Sequence, residues 1–239
     1  MISSGVVADL APTGTLRASI NVGNPVLAQG STSDPSGITV DIAREVAARL
    51  DVPVRLLGFD AARKSYEAMM AGDADICFLA IEPAREAEIA FTEPYVVIEG
   101  VFAVPQGSAI TTVADVDRDG VRIGVKQGSA YDLYLTRSLQ HATIVRGDEG
   151  VDVFRDQGLD VAAGIRQPIT AYVAEHPDLR LIDERFMQIR QAVGTVKGKR
   201  PETTAFLRDL VEELKASGFG VDALRRAGQS ADLVAPAAS

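Results

Sequence analysis

Apolar positions along the chain switch repeatedly between two periods. Short runs that are apolar throughout, or that alternate, lie at 16–21, 54–57, 75–79, 121–126, 143–146 and 160–163, and each reads as a strand. The run Asp75-Ile76-Cys77-Phe78-Leu79 is apolar on both faces, as a central parallel strand covered by helices must be. Between these runs the period lengthens. Ile42, Ala43, Val46, Ala47 and Leu50 recur at helical spacing within 38–50, and Tyr66, Met69 and Met70 share one side of 62–71, which stops at Gly72. Further helices are predicted at 129–139, 150–156 and 168–175. A last one starts at Pro201, with Phe206, Leu207, Leu210, Val211 and Leu214 as its apolar stripe and Gly218 as its stop. Two stretches, 91–104 and 186–196, are long, extended and fit neither pattern.

Strand–helix alternation of this kind predicts an α/β protein with largely parallel sheets. The long extended stretches divide the alternation into two blocks, and the last helix has no sheet of its own, so it returns to the first block. The expected organisation is two lobes, 1–99 with 194–239 and 100–193. Two crossover strands between them, near 99–103 and 191–195, would form a hinge with a ligand cleft between the lobes. The Ala- and Ser-rich tail at 229–239 is expected to be disordered.

Composition narrows the partners. Of 239 residues, 24 are Lys or Arg and 33 are Asp or Glu, a net charge of −9 that argues against a phosphate-neutralising face and so against nucleic acid. A single cysteine, Cys77, and two histidines, His141 and His176, with no ligand-type cluster around them, leave no metal site or cofactor to expect. No apolar run approaches the ~20 residues that span a bilayer. Residues 1–5 lack the basic start and apolar core of a secretory signal, which leaves open a trimmed exported protein or one that stays in the cytoplasm. Thr112 and Asp115 have helix-capping spacing, Asp148-Glu149 is an acidic helix start, and 197–200 is a basic cluster best read as a solvated loop.

Several short motifs stand in a telling order. Gly14-Thr15-Leu16-Arg17 precedes the first strand, and Gly37-Ile38-Thr39-Val40-Asp41-Ile42-Ala43 opens the first long helix. Gly72-Asp73-Ala74-Asp75-Ile76 follows, then Pro83-Ala84-Arg85 and Phe91-Thr92-Glu93-Pro94-Tyr95. Val125-Lys126-Gln127-Gly128-Ser129 opens the second block. In order and spacing the chain resembles the family 3 extracellular solute-binding proteins, the amino-acid-type receptors of ABC importers, from about Gly14 to Gly220. The resemblance implies a type 2 periplasmic-binding-protein fold, a monomer outside the cytoplasm, a small carboxylate ligand and an ABC permease as membrane partner.

It also implies a site. Arg85, six positions before Phe91, occupies the place of the arginine that grips the ligand carboxylate, and a guanidinium fork matches two carboxylate oxygens. Taken alone, the same arginine would as readily pair with Glu82 or Glu88 on a surface helix. Gly128, Ser129, Ala130 and Tyr131 start a helix whose free amides, those of Ser129 and Ala130, are expected to meet the same carboxylate from the other lobe, with Tyr131 as a lid. Asn21 and Asn24 occupy ligand-contacting places, and Phe59 and Phe78 are candidate pocket walls or plain core.

The departures bear on the ligand. A threonine usual five positions before the arginine is Ala80, and the acid usual after the second lobe's Ala-Asp-Ala-Val strand is Ile165. Neither offers an ammonium group a partner. The expected ligand is therefore an amine-free carboxylate, or one whose amine rests on Glu99 or Asn21, and a dicarboxylate if Arg166 joins Arg85 in the cleft. An alternative on the same fold is a cyclohexadienyl dehydratase-like enzyme, which needs a general acid that Glu99 or Glu82 would have to supply. A ligand-sensing module is the remaining alternative.

Overall fold

The computed structural model describes residues 2–238. The chain forms two compact units, one running up to Val97 and resuming at Arg190, the other running from Ile98 to Ile189.

The first unit opens with α1 (Ser4–Leu10), which the apolar period does not reveal because it is only seven residues long. Ser3 caps it, accepting from the Val6 amide at 3.4 Å, and Leu10 is fully buried. Then come β1 (Leu16–Asn21), a small antiparallel pair β2 (Gln29–Gly30) and β3 (Pro35–Ser36), and α2 (Ile38–Leu50). β4 (Val54–Phe59), α3 (Ala62–Met70), β5 (Ile76–Ala80) and the single turn α4 (Pro83–Glu86) complete this stretch. β4 and β5 flank β1, both parallel to it. All five residues of β5 are buried, as a strand apolar on both faces requires. Arg17 and Asp75 clamp the amino ends of β1 and β5 together: Asp75 accepts from the Arg17 amide (2.8 Å), Nε (3.0 Å) and Nη2 (2.7 Å).

β6 (Ile89–Pro105) leaves the first unit and enters the second. There β7 (Arg122–Lys126), α5 (Ala130–Ser138), β8 (Thr143–Gly147), α6 (Gly150–Asp156), β9 (Val161–Ile165) and α7 (Arg166–Glu175) repeat the βα alternation. β8 and β9 flank β7, again parallel. β10 (Leu179–Val196) carries the chain back, and α8 (Pro201–Ala216) and α9 (Phe219–Arg226) follow. α9 lies beyond Gly218, where the apolar stripe suggested that helix ends for good; Gly218 takes φ 82° and redirects the chain.

Each unit borrows an antiparallel strand from a crossover. Gln191 to Gly194 of β10 pair with β5 in the first unit, and Gly100 to Ala103 of β6 pair with β9 in the second. In each unit the first parallel strand sits between the other two, so successive connections leave it in opposite directions. Carboxyl ends of strands open a crevice where this reversal occurs. In the first unit that point is the ends of β1 and β5, at Asn21 and Ala80; in the second it is the ends of β7 and β9, at Lys126 and Ile165.

The tail corrects an expectation. Rather than being disordered, its described residues lie along the first unit. Ser230 caps a 3-10 turn at Ala231–Leu233, Val234 bridges Val96, and the buried Ala235 donates to the Tyr95 carbonyl at 3.0 Å. Lys215 donates to the carbonyls of Pro236 (2.9 Å) and Pro94 (3.3 Å), and the Ala238 amide donates to Glu212 Oε2 (3.0 Å). These are main-chain and single-lysine contacts, to which an Ala- and Ser-rich composition is blind. Deleting residues from 230 onward should cost about 1–2 kcal/mol and lower the thermal midpoint by about 3–6 °C. A calorimetric scan showing no shift would mean that the strap carries no stability.

Candidate functional site

The first half of the site follows from how β5 ends. Ile81 is still paired, its amide donating to the Arg190 carbonyl at 2.9 Å, and Glu82 is extended (φ −138°, ψ 138°). Pro83 then starts α4, and Glu82 main-chain oxygen accepts from the amides of Arg85 (2.8 Å) and Glu86 (2.9 Å). This turn brings Arg85 back over the strand it has just left. Its Nη1 donates to the Ala80 carbonyl at 3.1 Å, and the residue is 3% exposed. An arginine on a surface helix would be wet; this one is not. Burial pushes the guanidinium pKa down to about 10, opposed by the charge of Glu82 and by Cys77 and Tyr66. The group therefore stays cationic at neutral pH.

The neighbouring residues divide between local and open roles. Asn24 is 4% exposed and shapes the turn after β1, its Oδ1 accepting from the Val26 amide (3.3 Å) while its carbonyl accepts from Leu27 and Ala28. Asn21 is half-buried at the end of β1, with Oδ1 accepting from Gly23 at 3.0 Å. Phe78 is buried and meets Tyr95 edge-on, its ring centroid 6.2 Å away, so it is core; Phe59 is half-buried at the end of β4. Ala80 is buried and contributes its carbonyl to Arg85.

In the second unit the chain turns between β7 and α5 at Gly128, whose φ of 70° suits a residue without a Cβ. Ser129 caps α5, its Oγ accepting from the Asp132 amide at 3.1 Å. A carboxylate already sits at this helix start. Asp132, 3% exposed, accepts from the Gly128 amide (2.8 Å) and from Arg146 Nε at 3.0 and 3.1 Å, with Thr136 alongside. The expectation for the Ser129 amide is corrected, because it donates to the Lys126 carbonyl at 3.2 Å. Ala130 and Tyr131 carry the first-turn amides that have no acceptor within their own helix. Tyr131, expected as a lid facing the first lobe, is 7% exposed, with its hydroxyl held by the Ser129 side chain and the Lys126 main chain. Asp132 and Arg146 were missed by reasoning from sequence. The serine–aspartate spacing at 129 and 132 matches that of Thr112 and Asp115, which do form a capping box, and the same rule would have flagged it.

Arg166, expected as a second cleft cation, is committed elsewhere. Its Nε bonds Glu99 Oε2 at 2.5 Å and its Nη1 bonds Asp183 at 2.9 Å, while Arg185 takes the other Glu99 oxygen at 2.9 Å. Glu99 therefore has a cation on each oxygen. Ile165 pairs with Gly100 in the sheet and supplies no acid. No cluster of metal-binding side chains occurs among the described residues.

Residues 18–225 match the bacterial extracellular solute-binding proteins, family 3. The chain belongs to that family. This solute-binding protein is 26% identical over 200 residues to the lysine/arginine/ornithine-binding periplasmic protein of Escherichia coli K12, covering 82% of this chain and 69% of the relative. Among solved structures, the cysteine-binding protein of Campylobacter jejuni superposes with a TM-score of 0.79 at 20% identity, covering 98% of this chain and all of the other. A mutant of ArgBP from T. maritima gives 0.75 at 20% identity, with 92% and 98% covered. These likenesses establish the α/β, type 2 periplasmic-binding-protein architecture. No helix among the described residues is long and apolar enough to cross a membrane.

The Glu99 network is testable through pH. Partial burial raises the Glu99 pKa, but the bonds from Arg185 and Arg166 outweigh it and hold the carboxyl below its ordinary 4.5. Ionised Glu99 thus stabilises the fold fully above that value and loses its effect as pH falls through the lowered one. The stability gap between the native protein and Glu99→Gln, read from urea melts, should be widest near neutrality and narrow on acidification below about 4.5. A gap that stays constant down to pH 3 would remove the network from the protein's stability.

Proposed function

We propose that this solute-binding protein captures a small carboxylate-bearing solute outside the cytoplasm and delivers it to an ABC permease. The observation that carries this reading is Arg85, a buried and still charged guanidinium at the carboxyl end of β5, where the sheet order opens a crevice. It offers a carboxylate a planar pair of N–H donors in a place from which water is largely gone, where a charged hydrogen bond is strongest. The amides of Ala130 and Tyr131, at the positive end of α5, are the complementary donors from the second unit. A ligand held by both binds the closed arrangement better than the open one and so draws the protein closed. We assign the first-unit role to Arg85, with Asn21 and Phe59 beside it, and the second-unit role to the turn from Gly128 to Tyr131.

The names of the relatives point the same way: one binds lysine, arginine and ornithine and is periplasmic, and another binds cysteine. A dehydratase reading finds less support. It needs a carboxylic acid able to give up a proton; Glu99 is held ionised by two arginines, and the charge of Glu82, the other candidate, acts on the buried Arg85 guanidinium.

Replacing Arg85 by Ala should weaken binding of the best carboxylate from a thermal-shift screen at least tenfold, about 1.4 kcal/mol, by titration calorimetry. Arg85→Lys should recover only part of that loss, since an ammonium has no planar fork. If Arg85→Ala folds and binds with native affinity, the guanidinium is not the anchor.

A further inference from the structure

The second unit's half-site carries a resident anion. The Ala130 and Tyr131 amides at the start of α5 are the donors assigned to the ligand carboxylate, yet Asp132 stands directly after them with its side chain only 4% exposed. Its Oδ2 accepts from the Gly128 amide at 2.8 Å, and Thr136 Oγ1 lies 3.2 Å from its Oδ1. A helix start carries about half a positive charge, and a whole negative charge beside it reverses that sign. By itself, a turn so furnished would repel the carboxylate it has to hold.

Arg146 restores the sign. It is the last residue but one of β8, and from there its Nε donates to both Asp132 oxygens, at 3.0 and 3.1 Å, while its Nη2 donates to Thr136 Oγ1 at 2.7 Å. The next residue, Gly147, accepts from the Gln127 amide at 2.9 Å, so the end of β8 is joined to the turn at two places. Lys126, a second cation at the end of β7, is paired with Glu149 and leaves the balance unchanged. The Arg146 side chain is 40% exposed, so the cation reaches water and its partner does not. Taking the cation away would leave a buried, unanswered negative charge next to the ligand amides.

We infer that Arg146 is a positioning residue for the ligand, acting through Asp132: it answers the buried carboxylate and so keeps the start of α5 attractive to an anion. This rests on the reading of the turn from Gly128 to Tyr131 as the second carboxylate contact. A pair that merely braced the turn would be needed whole, and the loss of either partner would harm binding. A pair that balances charge behaves differently. Loss of the cation weakens binding, loss of the anion does not, and loss of both restores it. Asparagine at 132 can still accept from the Gly128 amide, so the geometry of the turn survives while the charge goes.

The test measures four proteins by titration calorimetry: native, Arg146→Gln, Asp132→Asn, and the double variant. The probes are the common L-amino acids, succinate, glutarate and propionate, the tightest binder to the native protein being carried through the series. Arg146→Gln should bind it about fivefold or more weakly, Asp132→Asn at least as tightly as native, and the double variant close to native. Added salt should narrow the gap between Arg146→Gln and native, since the Arg146 side chain is open to solvent. Single variants that both weaken binding, with no recovery in the double, overturn the inference and leave the pair as a brace. Four equal affinities overturn it as well, and neither result touches Arg85. If the native protein binds none of the probes, the carboxylate reading and this inference fall together. Should Arg146→Gln fail to fold, Asp132→Asn still decides, because weaker binding there contradicts a balance of charge.

Discussion

A guanidinium taken out of water is costly unless something repays its hydration, and the candidate site turns on how this chain meets that demand for Arg85. The repayment is local. The Ala80 carbonyl accepts one N–H, and Glu82 supplies an opposing charge three residues away. Because α4 is a single turn begun by a proline, the arginine folds back over the end of β5 instead of leaving for solvent. A cation is thereby held where a parallel strand ends, the edge at which open α/β sheets in general bind ligands.

The two units reach their half-sites by the same route. Each builds three parallel strands with the first in the middle, and each completes its sheet with an antiparallel strand taken from β6 or β10. What differs is the chemistry at the strand ends. The first unit presents the buried Arg85 guanidinium with the charge of Glu82 nearby, whereas the second presents main-chain amides on a turn tightened by Asp132 and Arg146. In the second unit the charges near the site are spoken for: Arg166 and Arg185 neutralise Glu99, and Arg146 neutralises Asp132.

Much of this was readable along the chain. Periodicity located the strands and long helices because burial on both faces of β5, or along one stripe of α8, must be written in apolar residues. The family motifs picked out Arg85 and the Gly128 turn by spacing alone. Less was readable wherever a contact uses the main chain or joins distant residues. The short α1 was not visible because seven residues carry too little period, and the ordered tail was not because it is held by Lys215, Tyr95 and Val96 from other parts of the sequence.

The amino-acid order by itself determined the α/β alternation and the family, and singled out Arg85 as the candidate anchor, since each depends on near neighbours or on fixed spacing. Tertiary structure alone decided which charges are spent. Arg166 looked available until Glu99 and Asp183 were found against it, the Ser129 amide looked free until Lys126 was seen to take it, and Glu82 looked like a surface acid until it proved buried. Whether a charge can serve a ligand depends on its distance to other charges and to water, and those distances are set by residues far apart in the chain.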